Sequence, residues 1–251
     1  VASSSLTLAI MQEWVVAKSI RETFSSYIVN LKTVHEVGYW DPQVGIDDTT
    51  FYYNALVRFA GDFRGEEVYI PTYNDAVENE TRSKSYKSLY KQQLRWDWGA
   101  IIFPMTFAGI YKNPEIPLEK KIKIAASVLD MRLVFRTVVY TITFGLPILS
   151  LLSPEFQFSS AAHNLPRLMS YILSGVMLFN FPVLYIRRRI TGIPKEWGFW
   201  RNVQDVVETF MISVNLLTFG LLPAIQAQTE MMFGKGFRKR FYATEKVAIK
   251  K

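Results

Sequence analysis

Three groups of residues carry side chains whose types and spacing could do chemistry. The first is Gln92-x-x-Arg95-Trp96, inside the stretch KQQLRWDWGA that runs from Lys91 to Ala100. A guanidinium such as that of Arg95 forms paired hydrogen bonds to a carboxylate or a diphosphate. The Gln92 amide both donates and accepts, as sugar hydroxyls require. The Trp96 indole offers a flat apolar face with one N–H, suited to the C–H face of a pyranose. The alternative for the same residues is an amphipathic helix whose tryptophans anchor at a membrane interface, and Trp98 is assigned to that structural role.

The second group is the acidic pair Asp47-Asp48, in VGYWDPQVGIDDTTFYYNAL, where a loop enters a helix. Aspartates there cap a helix and favour its positive end. One of them can also serve as a general base. A sugar hydroxyl is a poor nucleophile until its proton is taken as it attacks, and a positioned carboxylate contributes roughly 10²–10⁴-fold by taking it. The third group is FYATEK, Phe241 to Lys246, whose composition by itself describes a basic tail with an aromatic residue.

The elements that must position these residues are unevenly distributed. Of the 251 residues 49% are apolar and 20% charged, but the first 125 positions mix the two classes while the second half concentrates three long, nearly uncharged stretches. Leu6 to Arg21 has the pattern of a buried or amphipathic helix. Tyr27, Val29 and Leu31 alternate with polar residues, which predicts a strand, and Gly38 and Pro42 break the chain into a loop. Asp47 to Ala60 reads as a helix, Glu66 to Tyr73 as a second short strand, and Thr81 to Ala100 as a helix of mixed charge. This half is expected to be α/β. The apolar run after it is short and interrupted by Pro104, which points to an interfacial helix.

Leu133–Leu152 and Leu168–Ile186 each approach the ~20 residues that cross a hydrocarbon core. Lys120, Lys121, Lys123 and Arg132 flank them on one side and Arg187, Arg188 and Arg189 on the other. The loop from Ser153 to Pro166 has no Lys or Arg, although Arg167 follows it. By the positive-inside rule this is a hairpin with both ends in the cytoplasm. The third stretch, Val206 to Ile225, contains Glu208, Asn215, Gly220 and Pro223. An interfacial placement keeps the basic tail inside; a spanning one does not. The expected division is therefore 1–113, a membrane region over 114–230 with spans near 133–152 and 168–186 and a spanning or interfacial helix near 206–225, and a basic tail over 231–251.

The absence of cysteine excludes disulfides, thiolate zinc sites and cysteine nucleophiles. His35 and His163 have no partner cluster and take structural readings. The net charge of +7 lies beside the apolar stretches, so a nucleic-acid partner is not expected. Asn79-Glu80-Thr81 matches a glycosylation sequon, which on this topology is cytoplasmic and unmodified.

Taken together, the acidic pair, Gln-x-x-Arg-Trp and the membrane stretches resemble the membrane-bound family 2 glycosyltransferases, the group that contains cellulose and hyaluronan synthases. Asp47-Asp48 stands where that family has Glu-Asp, so the glutamate is replaced by the shorter Asp47. Gln92, Arg95 and Trp96 match the second motif in full. Phe241, Thr244 and Lys246 match the gating loop of the cellulose synthase branch, Phe-x-Val-Thr-x-Lys, with Ala243 for valine. GYWDP (Gly38 to Pro42) and RWxWG (Arg95 to Gly99) are similar to bacterial members.

The resemblance covers nearly the whole chain. It implies the C-terminal part of a GT-A domain followed by an α-helical transmembrane and interfacial bundle, in the cell (inner) membrane, multi-pass, with the catalytic part cytoplasmic. The implied activity is inverting transfer of a sugar from a nucleotide-sugar donor, UDP-linked in the family, to a growing polysaccharide. Asp48 is the implied base, with Asp47 beside it. Gln92, Arg95 and Trp96 are the implied acceptor and diphosphate residues, and Phe241, Thr244 and Lys246 the gating loop. Mg²⁺ or Mn²⁺ is the implied cofactor. The family's Asp-x-Asp is absent from these residues, so the metal ligands are expected in an upstream half, and the chain alone is expected neither to bind donor nor to turn over. Two other readings stand beside this one: a non-processive transferase that adds one sugar to a membrane lipid, and a non-catalytic membrane scaffold that has kept the fold.

Overall fold

A computed structural model describes residues 22–23, 26–41, 44, 46–66, 68, 77, 79–134, 137 and 140–234. These residues fall into two compact bodies, one made of 22–134 with 219–234 and the other of 137–218. The regular elements are helical, and no strand occurs among the described residues.

That overturns the expected α/β class and the GT-A architecture with it. Around Tyr27 the correction is local and physical. Tyr27 to Asn30 has no regular structure, and Leu31 opens helix α1 (Leu31–Val37). The Asn30 side chain accepts the Lys32 N–H at 2.8 Å, and Gly38 closes the helix in the left-handed region at φ 87°. An N-cap and a left-handed C-cap with seven residues between them define a helix, whereas three alternating positions make a strand only if another strand pairs with them. Of the second expected strand, Glu66 and Val68 carry no regular structure and the remainder lies outside the described residues, as does the expected helix Leu6 to Arg21.

In the first body, α2 (Asp47–Arg58) is buried on nearly every side of its first two turns, from Thr49 to Tyr53 and again at Ala55 and Leu56. It packs against α4 (Ile102–Lys112) and, through the core formed by Tyr52, Tyr53, Leu56, Ile102, Ile110, Ile116, Ile124, Val128 and Met131, against α5 (Leu118–Leu129). Helix α3 (Arg82–Asp97) starts at Thr81, whose hydroxyl accepts the Lys84 N–H, and passes through a 3₁₀ turn, Trp98–Ile101, directly into α4.

Pro104 does not interrupt α4. It is the third residue of the helix, where a backbone N–H has no intrahelical acceptor to lose. Gly109 lets α4 sit close on α2, since a Cβ there would lie 3.0 Å from a Val57 methyl. Helix α5 continues into a π turn, Asp130–Val134.

In the second body, α6 (Leu146–Leu152), α7 (Ser160–Leu178), α8 (Asn180–Thr191) and α9 (Phe199–Phe210) follow in order. The nearly continuous run Ser160–Ile190 is long and apolar enough to cross a membrane, and only 12% of its most apolar window is buried. Thr143–Leu152 is a shorter apolar helix. Asp205 of α9 is buried and accepts from two arginines of α8, Arg187 and Arg188, the latter at 2.9–3.0 Å. The basic end of one helix is thereby tied to the next. Back in the first body, α10 (Leu222–Met232) packs along α3, with the Tyr90 hydroxyl donating to Gln226 Oε1 at 2.8 Å and Tyr86 stacked on Phe219.

Candidate active site

The acidic pair occupies the first turn of α2, after Ile46. Its two carboxylates differ in surroundings: Asp47 is exposed, Asp48 half-buried. Asp48 Oδ1 accepts the Thr49 N–H at 2.8 Å, a first-turn donor that has no partner within the helix. Burial pushes the Asp48 carboxyl above the usual aspartate range. The negative charges of Asp47 and Glu22 push the same way, against the stabilising Thr49 N–H and hydroxyl. A carboxylate raised in this way accepts a proton more readily than a solvated one.

Residues distant in sequence support that turn. The Thr23 hydroxyl donates to the Asp48 carbonyl at 2.7 Å. Glu22 is buried and accepts from the Tyr53 hydroxyl at 2.6 Å through Oε1, while Oε2 pairs with the Arg132 guanidinium, which extends from the π turn. Burial first and the Glu22 charge second hold the Tyr53 hydroxyl well above the ordinary tyrosine range, so it stays a donor.

The end of the Gln-x-x-Arg-Trp helix meets this support at Gly99. A Cβ placed on Gly99 would lie 3.3 Å from Ile46 Cδ1 and 3.4 Å from an Arg132 guanidinium nitrogen. The 3₁₀ turn that follows Trp96 therefore abuts the residue preceding Asp47, and one arginine touches both Glu22 and that turn.

On α3 itself, Gln92 and Arg95 are half-buried and engaged with neighbouring groups, while Trp96 is 42% exposed. Trp98 is 3% exposed. Its role is structural as expected, but as a core residue rather than an interface anchor. The gating-loop residues Phe241, Thr244 and Lys246 lie outside the described residues.

Sequence reasoning did not single out Glu22, Tyr53 or Arg132 for this site. The Glu22 contacts span 31 and 110 positions, and no local pattern marks them. The signal for Gly99 was present, as the last residue of RWxWG, but its reason is the close approach of Ile46 and Arg132.

His35 lies in the last turn of α1, edge-on to Tyr39, and His163 is exposed on α7. The Asn79 side chain of the sequon donates to the Ser88 hydroxyl at 2.8 Å, which ties it to α3. Among the described residues no three His, Asp or Glu side chains are grouped to hold a metal ion. The Mg²⁺ or Mn²⁺ implied by the resemblance thus has no ligand set among those residues.

The sequence matches no protein-family model, and comparison with curated proteins and with solved structures finds no match.

Proposed function

We propose that this chain carries the acceptor-side residues of a membrane-bound glycosyltransferase that extends a polysaccharide. Asp48 takes the proton of an acceptor hydroxyl. The hydroxyl oxygen bonds to the anomeric carbon of the donor sugar as the bond from that carbon to the nucleotide diphosphate breaks, with inversion. Arg95 faces the departing diphosphate, and Gln92 and Trp96 hold the acceptor's terminal sugar. The donor is a nucleotide sugar of the UDP type, and the surrounding phase is a lipid bilayer.

One observation supports this reading above the others. The raised carboxyl of Asp48 stands on a helix start whose preceding residue, Ile46, packs against Gly99, three residues beyond Trp96. Residues that flank the two motifs, more than forty positions apart in sequence, thus lie in contact, which supports a shared site.

The test is transfer of labelled nucleotide sugars by membranes of cells that express the full reading frame encoding this chain, with wild type and Asp48→Asn compared and product size recorded. We expect a long product from wild type and a loss of about 10²-fold or more in the variant. Undiminished transfer by Asp48→Asn would remove the base assignment. A single-sugar lipid product would move the protein to the non-processive class.

A further inference from the structure

The loop that precedes the acidic pair holds an aromatic surface to which the proposed reaction gives no role. Helix α1 ends in two successive left-handed residues, Gly38 at φ 87° and Tyr39 at φ 68°. Their N–H groups are satisfied by His35 and Val34 carbonyls at 3.2 and 3.0 Å. A non-glycine residue in that region is uncommon, and such positions concentrate where a side chain must be presented in a particular way.

What the turn presents is Trp40. Its indole stacks on Phe51 with ring centroids 5.4 Å apart and planes inclined by 29°. Its N–H donates to the Tyr27 hydroxyl at 2.5 Å, and the Tyr27 ring lies 6.3 Å from that of Phe51. Phe51 is 1% exposed, yet Trp40 remains 40% exposed. With one face packed on Phe51 and the N–H engaged, the ring is held in place while the residue stays exposed.

This surface adjoins the carboxylates. Phe51 follows Asp48 by three residues and Asp47 by four, the spacing that shares a helix face. The Tyr27 hydroxyl lies close enough to both acids for their charges to hold its proton on, in addition to the effect of burial.

A single flat aromatic face beside hydrogen-bonding oxygens matches one kind of ligand. A pyranose ring has a patch of C–H groups on its face and hydroxyls at its edge. A compact ammonium would instead call for several ring faces converging on one point. Here the second ring lies beneath the first, so only one face is offered.

We infer that Trp40, backed by Phe51 and locked through Tyr27, is a stacking platform for one pyranose ring of a saccharide, whose edge hydroxyls reach the Asp47–Asp48 turn. The identification of that saccharide as the acceptor rests on the transferase reading; the binding itself does not.

The experiment titrates the protein in lipid nanodiscs, free of glycoside detergent, with cellopentaose, chitopentaose and choline. Tryptophan fluorescence and calorimetry report binding by wild type, Trp40→Ala, Trp40→Phe and Asp48→Asn. We expect saturable binding of a pentasaccharide, weakened about tenfold in Trp40→Ala and much less in Trp40→Phe, which keeps a flat face. Equal thermal unfolding midpoints of the two Trp40 variants separate a binding effect from loss of fold. Pentasaccharide binding that is equal in Trp40→Ala and wild type overturns the platform, as does saturable binding of choline alone or of none of the three probes. Transfer measured on Asp48→Asn separates the two ideas. Trp40-dependent binding with transfer that survives Asp48→Asn leaves the platform and removes the base. Asp48-dependent transfer with Trp40-independent binding does the reverse.

Discussion

Asp48 is a carboxylate set between opposing influences: burial, Asp47 and Glu22 favour its protonated form, and the Thr49 N–H and hydroxyl favour its charge. The first set prevails, and the sign of that balance has two consequences. As a base Asp48 must be ionised, so kcat/KM is expected to rise with pH through an ionisation above the ordinary aspartate value of about 3.9. In Glu22→Gln, which removes one of the raising charges, that limb should move to lower pH. A pH–rate profile of the two proteins checks both statements, and an acid limb at or below the ordinary value in wild type would contradict them.

The second consequence concerns stability. A carboxyl whose folded pKa is raised contributes stability that is fully present below its unfolded pKa and lost as pH rises through the folded value. Asp48→Asn never ionises, so it should unfold at neutral pH no more easily than wild type, with the difference closing in acid. Thermal unfolding at the two pH values tests this, and it also distinguishes lost chemistry from lost folding in the transfer assay.

The Glu22–Arg132 pair behaves differently, because both partners are withdrawn from water, with side chains 3% and 17% exposed. Removing one partner of such a pair leaves the other charge buried, at a penalty of about 3–5 kcal/mol. Glu22→Gln and Arg132→Met are each expected to lower stability on that scale, and the double variant by clearly less than their sum. Additive losses in chemical unfolding would show that the pair is not coupled.

Among elements, the informative junction is where the 3₁₀ turn after α3 meets the start of α2. Gly99 lies in the interior of that turn and has no need of a left-handed backbone; the constraint is space. A Cβ at Gly99 would press on Ile46 and on Arg132 at 3.3–3.4 Å, tighter than ordinary contact, and both neighbours also support the acidic turn.

Gly99→Ala is therefore expected to cost about 1–3 kcal/mol by overpacking and to lower transfer further than that loss of stability accounts for. Gly109→Ala, which meets Val57 at 3.0–3.1 Å away from the acidic turn, supplies the control. It should lower stability on the same scale with a smaller effect on turnover per folded molecule. Unfolding midpoints and activity normalised to folded protein, measured on both variants, decide it. Equal effects on turnover would mean that Gly99 matters only for packing.

For the molecule as a whole, the proposed membrane placement can be tested through its topology. Along Ser160–Ile190 large apolar side chains such as Leu168, Ile172, Leu178, Phe181 and Ile186 are exposed, and under the proposed placement a bilayer covers them. Arg187, Arg188 and Arg189 close that run, two of them tied to Asp205, and the proposed topology puts them on the cytoplasmic side. Because the chain has no cysteine, single substitutions can report sidedness without background. Glu155→Cys should react with an impermeant maleimide from outside intact cells, and Lys195→Cys only after the membrane is opened. Labelling of both from the same side would overturn the hairpin topology.

Much of this organisation was legible in the residues themselves, because it depends on interactions within a few positions. The helix from Asp47, the capped helix from Thr81, the apolar stretches with their basic flanks, and the chemical character of Asp48, Gln92, Arg95 and Trp96 follow from local propensity, capping and charge. The expected strand at Tyr27 failed for the complementary reason. Strand pairing is a property of two segments, while the caps at Asn30 and Gly38 lie within one.

Other features were decided by tertiary structure alone. The meeting of Ile46 with Gly99, the joining of Glu22 to Tyr53 and Arg132, the burial of Trp98 and the locking of Trp40 on Phe51 all link positions that no local spacing relates. Sequence determined which groups were available for chemistry. Only close packing of the folded helices brought Gly99 against Ile46 and Arg132, and only burial and neighbouring charge raised the affinity of Asp48 for a proton.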